Sequence, residues 1–222
     1  MTNRTLVIGN KNYSSWSLRP WLAMRVAGIP FEEKLIPLLE SAPGFDWKAE
    51  ITAISGAGRV PILLDDGVKI WESLAILEYL AEKFPEANLW PTDPLARATA
   101  RAVAAEMHAG FTSLRNTMPM NIRKSLPGRG MTPETAKDID RVQALWTHCR
   151  QTFGADGAFL FGAFGAADAM FAPVASRLRT YDVTLTPLCA EYQEAVLSLP
   201  AFIDWATAGR DEPWIIVEDE VA

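Results

Sequence analysis

The residues most able to do chemistry in this 222-residue chain fall in four short stretches. Asn12-Tyr13-Ser14-Ser15-Trp16-Ser17 lies between an apolar run, Thr5-Leu6-Val7-Ile8, and a helical pattern. Hydroxyls placed there can cap free amides at a helix start. They can also point past the carboxyl end of a strand, where α/β sheets bind ligands, and donate to a thiolate or anion that the positive helix end favours. Arg59-Val60-Pro61 enters a second apolar run. A proline there fits an edge strand, or a cis peptide that leaves the N–H and C=O of Val60 free for an extended ligand. Glu72-Ser73 precedes an amphipathic helix. Ser73 reads as its N-cap, and the same hydroxyl at a helix start suits a carboxylate. With Glu72 taking an ammonium, the pair matches the two charged ends of one amino acid. Gly165-Ala166-Ala167-Asp168 has the form of a helix-capping box, with a carboxylate at the third helical position.

The elements that must position these residues follow from periodicity. Strands are expected over 5–8, 31–38, 60–64 and 68–71, the last two joined by an Asp66-Gly67 hairpin turn. Leu18, Trp21, Leu22, Arg25 and Val26 give a helix stopped by Gly28, residues 44–54 leave room for a short helix, and Ser73–Phe84 gives another. The order is βαβαββα. Pro85, Pro91 and Pro94 then interrupt the chain, which suits a linker over 85–94. Everything beyond reads as helix. Val103, Met107, Phe111, Leu114 and Met118 share one helical spacing, and Thr132-Pro133 opens a helix with the stripe Ile139, Val142, Leu145, Trp146 and Cys149. Further helices fit 166–181, 187–197 and 199–207. The expected domains are 1–84, a linker over 85–94, and 95–222.

Composition narrows the function. Lys and Arg number 21 against 27 Asp and Glu, a net charge of −6, which argues against a nucleic-acid binder. With two histidines, two unpaired cysteines and no CxxC, no metal site is expected. No apolar run reaches the roughly 18 residues of a membrane helix, and the first residues are too polar for a secretory signal, so a cytoplasmic location is expected.

The ordered set NYSSWSLRPWLAM, GAGRVPIL, DDGVKIWESLAILEYLAEKFP, LWP and FGAADAMFAPVASRL resembles the cytosolic glutathione S-transferase family over nearly the whole chain. The serine pair is most similar to the zeta, maleylacetoacetate isomerase-like, class. The resemblance implies a thioredoxin-like N-terminal domain, an all-helical C-terminal domain, a homodimer and a detoxifying enzyme. It implies that Ser14, with Ser15 as competitor, bonds the glutathione sulfur. Val60 would pair with the cysteinyl part in front of a cis-Pro61, Glu72 and Ser73 would hold the γ-glutamyl end, and Arg59 would make a polar contact. Asp168 would serve folding. Two positions depart from the pattern: Trp16 stands where the zeta motif has cysteine, and Gly165 where the capping motif usually has Ser or Thr.

The chemistry needs a thiolate. A thiol of pKa about 8.5 needs a shift of about two units, worth about 2.7 kcal/mol. One hydroxyl donor to a charged acceptor supplies roughly 1.5–3 kcal/mol and the helix end roughly 0.3–1 kcal/mol. No metal or histidine base is required. The electrophile is expected to be a small hydrophobic molecule held between the domains by Trp16, Met107, Phe111 and Leu114, though each of the last three also fits core packing. Conjugation, isomerisation and peroxide reduction all use such a thiolate. The competing class is a non-catalytic binding or regulatory module on the same fold. The dimer is implied by the resemblance alone; the Trp and Met residues near 90 to 118 read as exposed and are compatible with it, but no interface is visible in the sequence.

Overall fold

The computed structural model describes residues 4–39, 46–154 and 157–221. Strands β1 (Arg4–Ile8), β2 (Glu32–Leu35), β3 (Ile62–Asp65) and β4 (Val68–Trp71) form one sheet in the order β2-β1-β3-β4. β1 and β2 run parallel, which requires a crossover, and helix α1 (Ser15–Val26) supplies it. β3 runs antiparallel to β1 and β4, the hairpin turning at Asp66 and Gly67, both at positive φ. β2 is shorter than the apolar pattern suggests: Phe31 and residues 36–38 fall outside the ladder. Helix α2 (Trp47–Ile54), capped by the Asp46 carboxylate, covers one sheet face over Val7, Ile36, Ile51 and Ile62. The first two residues of the expected 44–54 segment lie outside the described residues. On the other face α1 and α3 (Ser73–Lys83) enter the main core.

A 3₁₀ turn over Pro85–Ala87 leads to α4 (Pro94–Ala109), capped by Asp93. Five further helices follow: α5 (Thr112–Thr117), α6 (Pro133–Phe153), α7 (Ala166–Thr180), α8 (Pro187–Leu197) and α9 (Pro200–Asp211). The run from Val103 to Met118 is not one helix. Gly110 ends α4, and Phe111 takes a left-handed conformation at φ 58 before α5 restarts. Apolar spacing survives such a break because both short helices face the same core. Trp90, Met107 and Met118 are buried, which corrects their reading as an exposed dimer contact.

α7 is buried on nearly every side and packs on α1, α4 and α8. That is why Ala166–Leu178 is mostly apolar, with Asp168, Ser176 and Arg177 buried among apolar residues. At its start Asp168 accepts from the amides of Gly165 (2.8 Å) and Leu160 (3.1 Å). Glycine supplies no side chain for the reciprocal bond. A Cβ on Gly165 would lie 2.8 Å from the Leu89 carbonyl oxygen, which itself accepts from Ala166 N, so the close approach of the linker explains the glycine. Among the described residues no helix is long and apolar enough to cross a membrane.

Candidate functional site

A cavity of about 720 Å³ opens where the N-terminus of α1, the end of β3's lead-in and the α4–α5 break meet. Ser14, Ser15, Trp16, Arg59 and Val60 line it from the N-terminal half, and His108, Thr112, Arg115 and Arg177 from the helical half. A smaller cavity of about 370 Å³ shares Trp16, Arg59, Val60 and His108 and adds Pro61, Trp71 and Glu72. The structure therefore brings residues of three of the four sequence stretches to two cavities that share a wall, although Ser73 is buried and lines neither. Asp168 stands apart, in the capping box.

Ser14 is the N-cap of α1. Its Oγ accepts from Ser17 N at 3.4 Å and donates to Ser17 Oγ at 2.7 Å. Ser15 Oγ accepts from Arg177 Nη2 at 3.2 Å, so the two serines differ: one caps the helix, the other is braced by a guanidinium. The Val60–Pro61 peptide is cis. Glu72, at φ 71, occupies the N-cap position of α3 without a side-chain cap bond, and Ser73 is the first helical residue. This corrects the reading of Ser73 as the cap. Its buried hydroxyl instead accepts from Arg19 Nη1 at 3.3 Å and lies 4.0 Å from Met170 Sδ.

The segment before Ser14 is held from the C-terminal side. Glu212 accepts from the amides of Lys11 (2.7 Å) and Asn12 (3.1 Å), and Tyr13 donates to Glu220 at 2.6 Å. Ile216 and Asp219 reach the cavity wall. Met107, Phe111 and Leu114 do not line the cavity; they are core residues, and their neighbours His108, Thr112 and Arg115 take that role. A helix stripe that packs the core leaves the adjacent positions to face a cleft.

The charge of the site went unnoticed in the sequence. Arg19, Arg115 and Arg177 converge on the serine end of α1, two of them stacked near Trp16 at 4.2 Å (Arg19) and 5.3 Å (Arg115) from its ring centroid. Burial, then Arg115, pushes Arg177 down to about 10. Burial also lowers Arg115 and Arg19, the latter further opposed by Arg177 and Arg115. His108 meets Trp16 edge-on at 5.3 Å and Glu72 at 3.6 Å, and burial with Arg19 lowers its pKa, favouring the neutral ring. The available signal is an arginine beside the apolar stripe of α1 and another in the largely apolar run of α7. Among the described residues no group of three or more His, Cys, Asp or Glu side chains is gathered to hold a metal.

The family model "Glutathione S-transferase, N-terminal domain" matches residues 13–83, which spans Ser14, the Val60–Pro61 peptide and Ser73. A rat maleylacetoacetate isomerase is 31% identical over 193 residues, covering 85% of this chain and 86% of its own length. The chain belongs to the glutathione S-transferase family. A probable maleylacetoacetate isomerase from Caenorhabditis elegans is 29% identical, covering 91% of this chain and 94% of its own. A glutathione transferase homologue from Burkholderia gl BGR1, solved with bound glutathione, shares the fold with a TM-score of 0.69 at 23% identity, covering 94% of this chain and 98% of that one. Glutathione S-transferase architecture thus extends through both halves of the chain.

Proposed function

We propose that the chain binds glutathione along the two joined cavities and activates its thiol for attack on an electrophile with an apolar body and a carboxylate. The observation that carries this reading is Ser14, an N-cap hydroxyl lining the same cavity as Val60 and, from the helical half, Arg115 and Arg177, which have no ion-pair partner among the described residues. Residues 1–84 form the glutathione-binding unit and 95–222 contribute the electrophile side, with 85–94 linking them. Val60 pairs with the cysteinyl backbone, Arg59 contacts the tripeptide, and Glu72 with Ser73 holds the γ-glutamyl end.

Rotation of the Ser14 hydroxyl away from Ser17 turns its proton to the bound sulfur. Together with the α1 helix end this supplies the roughly 2.7 kcal/mol that a largely ionised thiol needs at neutral pH. Ser15, bonded to Arg177, fixes that guanidinium at the cavity wall. Arg115 and Arg177 then offer charge-assisted bonds to a carboxylate on the electrophile. Addition of the thiolate to an activated alkene forms the S–C bond and moves the π pair into an enolate; a proton from solvent then gives a conjugate, whereas rotation about the former double bond and expulsion of the thiolate gives an isomer. The relatives named as isomerases favour the second outcome. Trp16, in place of the zeta cysteine, closes the apolar wall next to the sulfur. Exposed Trp71 and Val68 on β4 favour a homodimer, and a cytoplasmic setting suits a co-substrate that must stay reduced.

Ser14→Ala tests the mechanism. Turnover should fall roughly 10- to 100-fold, with KM for glutathione changing less than threefold, as expected when an interaction is strongest to the charged sulfur. Equal activity in Ser14→Ala, with the loss appearing in Ser15→Ala, would transfer the role to Ser15.

A further inference from the structure

Arg19 is 0% exposed, yet among the described residues only one of its three nitrogens has a hydrogen-bond partner. Nη1 donates to Ser73 Oγ at 3.3 Å, while Nε and Nη2 are buried with no hydrogen-bond partner. The Trp16 ring covers the guanidinium at 4.2 Å. Among the described residues no carboxylate lies within ion-pair distance of it. A buried guanidinium in that state is strongly unfavourable, and a methionine or leucine packed at the same place would be cheaper. Unlike a carboxylate, it cannot escape by exchanging a proton. Its location is informative: it stands behind Ser73, at the start of α3 and next to Glu72.

We propose that Arg19 is a positioning residue, the buried countercharge that aims Ser73 at the α-carboxylate of the γ-glutamyl end of glutathione. The inference rests on the glutathione reading above. Arg19 donates into Ser73 Oγ, and the Ser73 hydroxyl in turn gives its proton to the Met170 sulfur at 4.0 Å, a weak acceptor that a carboxylate would replace. A hydroxyl that accepts from a cation is a better donor, because the two bonds polarise one another. The only other acceptor near Ser73 Oγ among its described partners is the weak Met170 sulfur. Glu72 beside it meets the ammonium of the same amino-acid end. The zwitterion thereby finds one carboxylate and one guanidinium-backed hydroxyl, in an order that reads its two charges. The Trp16 ring shields the guanidinium from the cavity, which keeps its charge unscreened.

The test compares reduced glutathione with 4-aminobutanoyl-Cys-Gly, its analogue lacking that α-carboxylate, by calorimetry on wild type, Arg19→Met, Arg19→Lys and Ser73→Ala. Wild type should bind glutathione at least about tenfold tighter than the analogue. Arg19→Met and Ser73→Ala should narrow the ratio to within about threefold by weakening glutathione alone, and Arg19→Lys should retain part of it. In turnover, KM for glutathione should rise while kcat at saturation holds. Without ligand, Arg19→Met should melt no lower than wild type. An unchanged ratio in Arg19→Met would overturn the proposal. So would a variant that fails to fold, or one that melts lower and loses both ligands equally, since either outcome makes Arg19 a structural residue. A wild type that binds neither ligand would overturn the proposed function itself; normal wild-type binding with an unchanged ratio would remove only the role given to Arg19.

Discussion

Arg4 and Arg19 are both buried arginines of the N-terminal half, and their surroundings differ in kind. Arg4 lies 3.1 Å from the Asp65 carboxylate and donates to the Pro30 carbonyl at 2.9 Å. Asp65 also accepts from Lys83 (2.7 Å) and Tyr79 (3.1 Å), and Lys83 reaches Asp66 at 3.2 Å, so this cluster ties β1, β3 and α3 together with two cations matched by two carboxylates. Around Trp16, by contrast, Arg19, Arg115 and Arg177 face one another, and among the described residues none is ion-paired. Asp168 is a third case, a buried carboxylate held by the Gly165 and Leu160 amides with the Tyr192 hydroxyl beside it. It can shed its charge by taking a proton, and burial raises its pKa to about 6. Guanidinium groups have no such exit. The difference separates charge that holds the fold from charge that, under the function proposed above, receives an incoming anion.

Breaking the matched cluster should have the largest effect. Asp65→Ala leaves Arg4 buried without a countercharge and should cost about 3–5 kcal/mol in denaturant unfolding. Ligand affinity measured on the folded fraction should not change. A loss below about 1 kcal/mol would mean that Arg4 is held by its backbone contact instead.

The two buried carboxylates should respond to pH with opposite signs. Burial alone would raise Asp65, but the bonds from Lys83, Arg4 and Tyr79 hold its carboxyl below the usual range. Its stabilisation is therefore present above its unfolded pKa and lost as pH falls. The raised Asp168 behaves the other way: its contribution is full below about pH 4 and is lost as pH rises through about 6. Relative to Asp168→Asn, wild type should lose about 3 kcal/mol of unfolding free energy across that window. A difference that stays flat between pH 4 and 7 would show that Asp168 remains ionised throughout.

The smallest change in stability is expected at the unpaired cluster. Arg177→Met gives up the bonds to Met118 O (2.9 Å) and Ser15 Oγ (3.2 Å) but also removes a buried charge. The unfolding free energy should move by only about 1 kcal/mol. Turnover of a carboxylate-bearing electrophile should nevertheless fall roughly tenfold or more, and that of a neutral one much less. Equal losses for both electrophiles would assign Arg177 to positioning Ser15 rather than to substrate charge.

Much of this was legible in the sequence where a local rule acts. The Asp66-Gly67 turn, the cap at Ser14 and the start of α6 at Thr132-Pro133 each follow from nearest neighbours in the chain. The break at Gly110–Phe111 was not legible, because the apolar spacing continues across it into the same core. Ser73 was misplaced by one helical position, since Glu72 adopts a positive φ that its residue type does not announce. The arginines escaped notice for a different reason. Arg19, Arg115 and Arg177 are far apart in sequence, and only the packing of α1 on α7 and the turn into α5 bring them around Trp16. Gly165 departs from the family's cap because of a backbone contact with Leu89, a tertiary cause that no local pattern carries.

The most direct test is a calorimetric titration of the wild-type chain with reduced glutathione, followed by the same titration in Ser14→Ala. Wild type should show saturable one-site binding with thermal stabilisation, and Ser14→Ala should bind with nearly the same affinity. Absence of both heat and thermal stabilisation in a folded wild-type sample would contradict the proposed function, leaving the joined cavities and their arginines to a ligand other than glutathione.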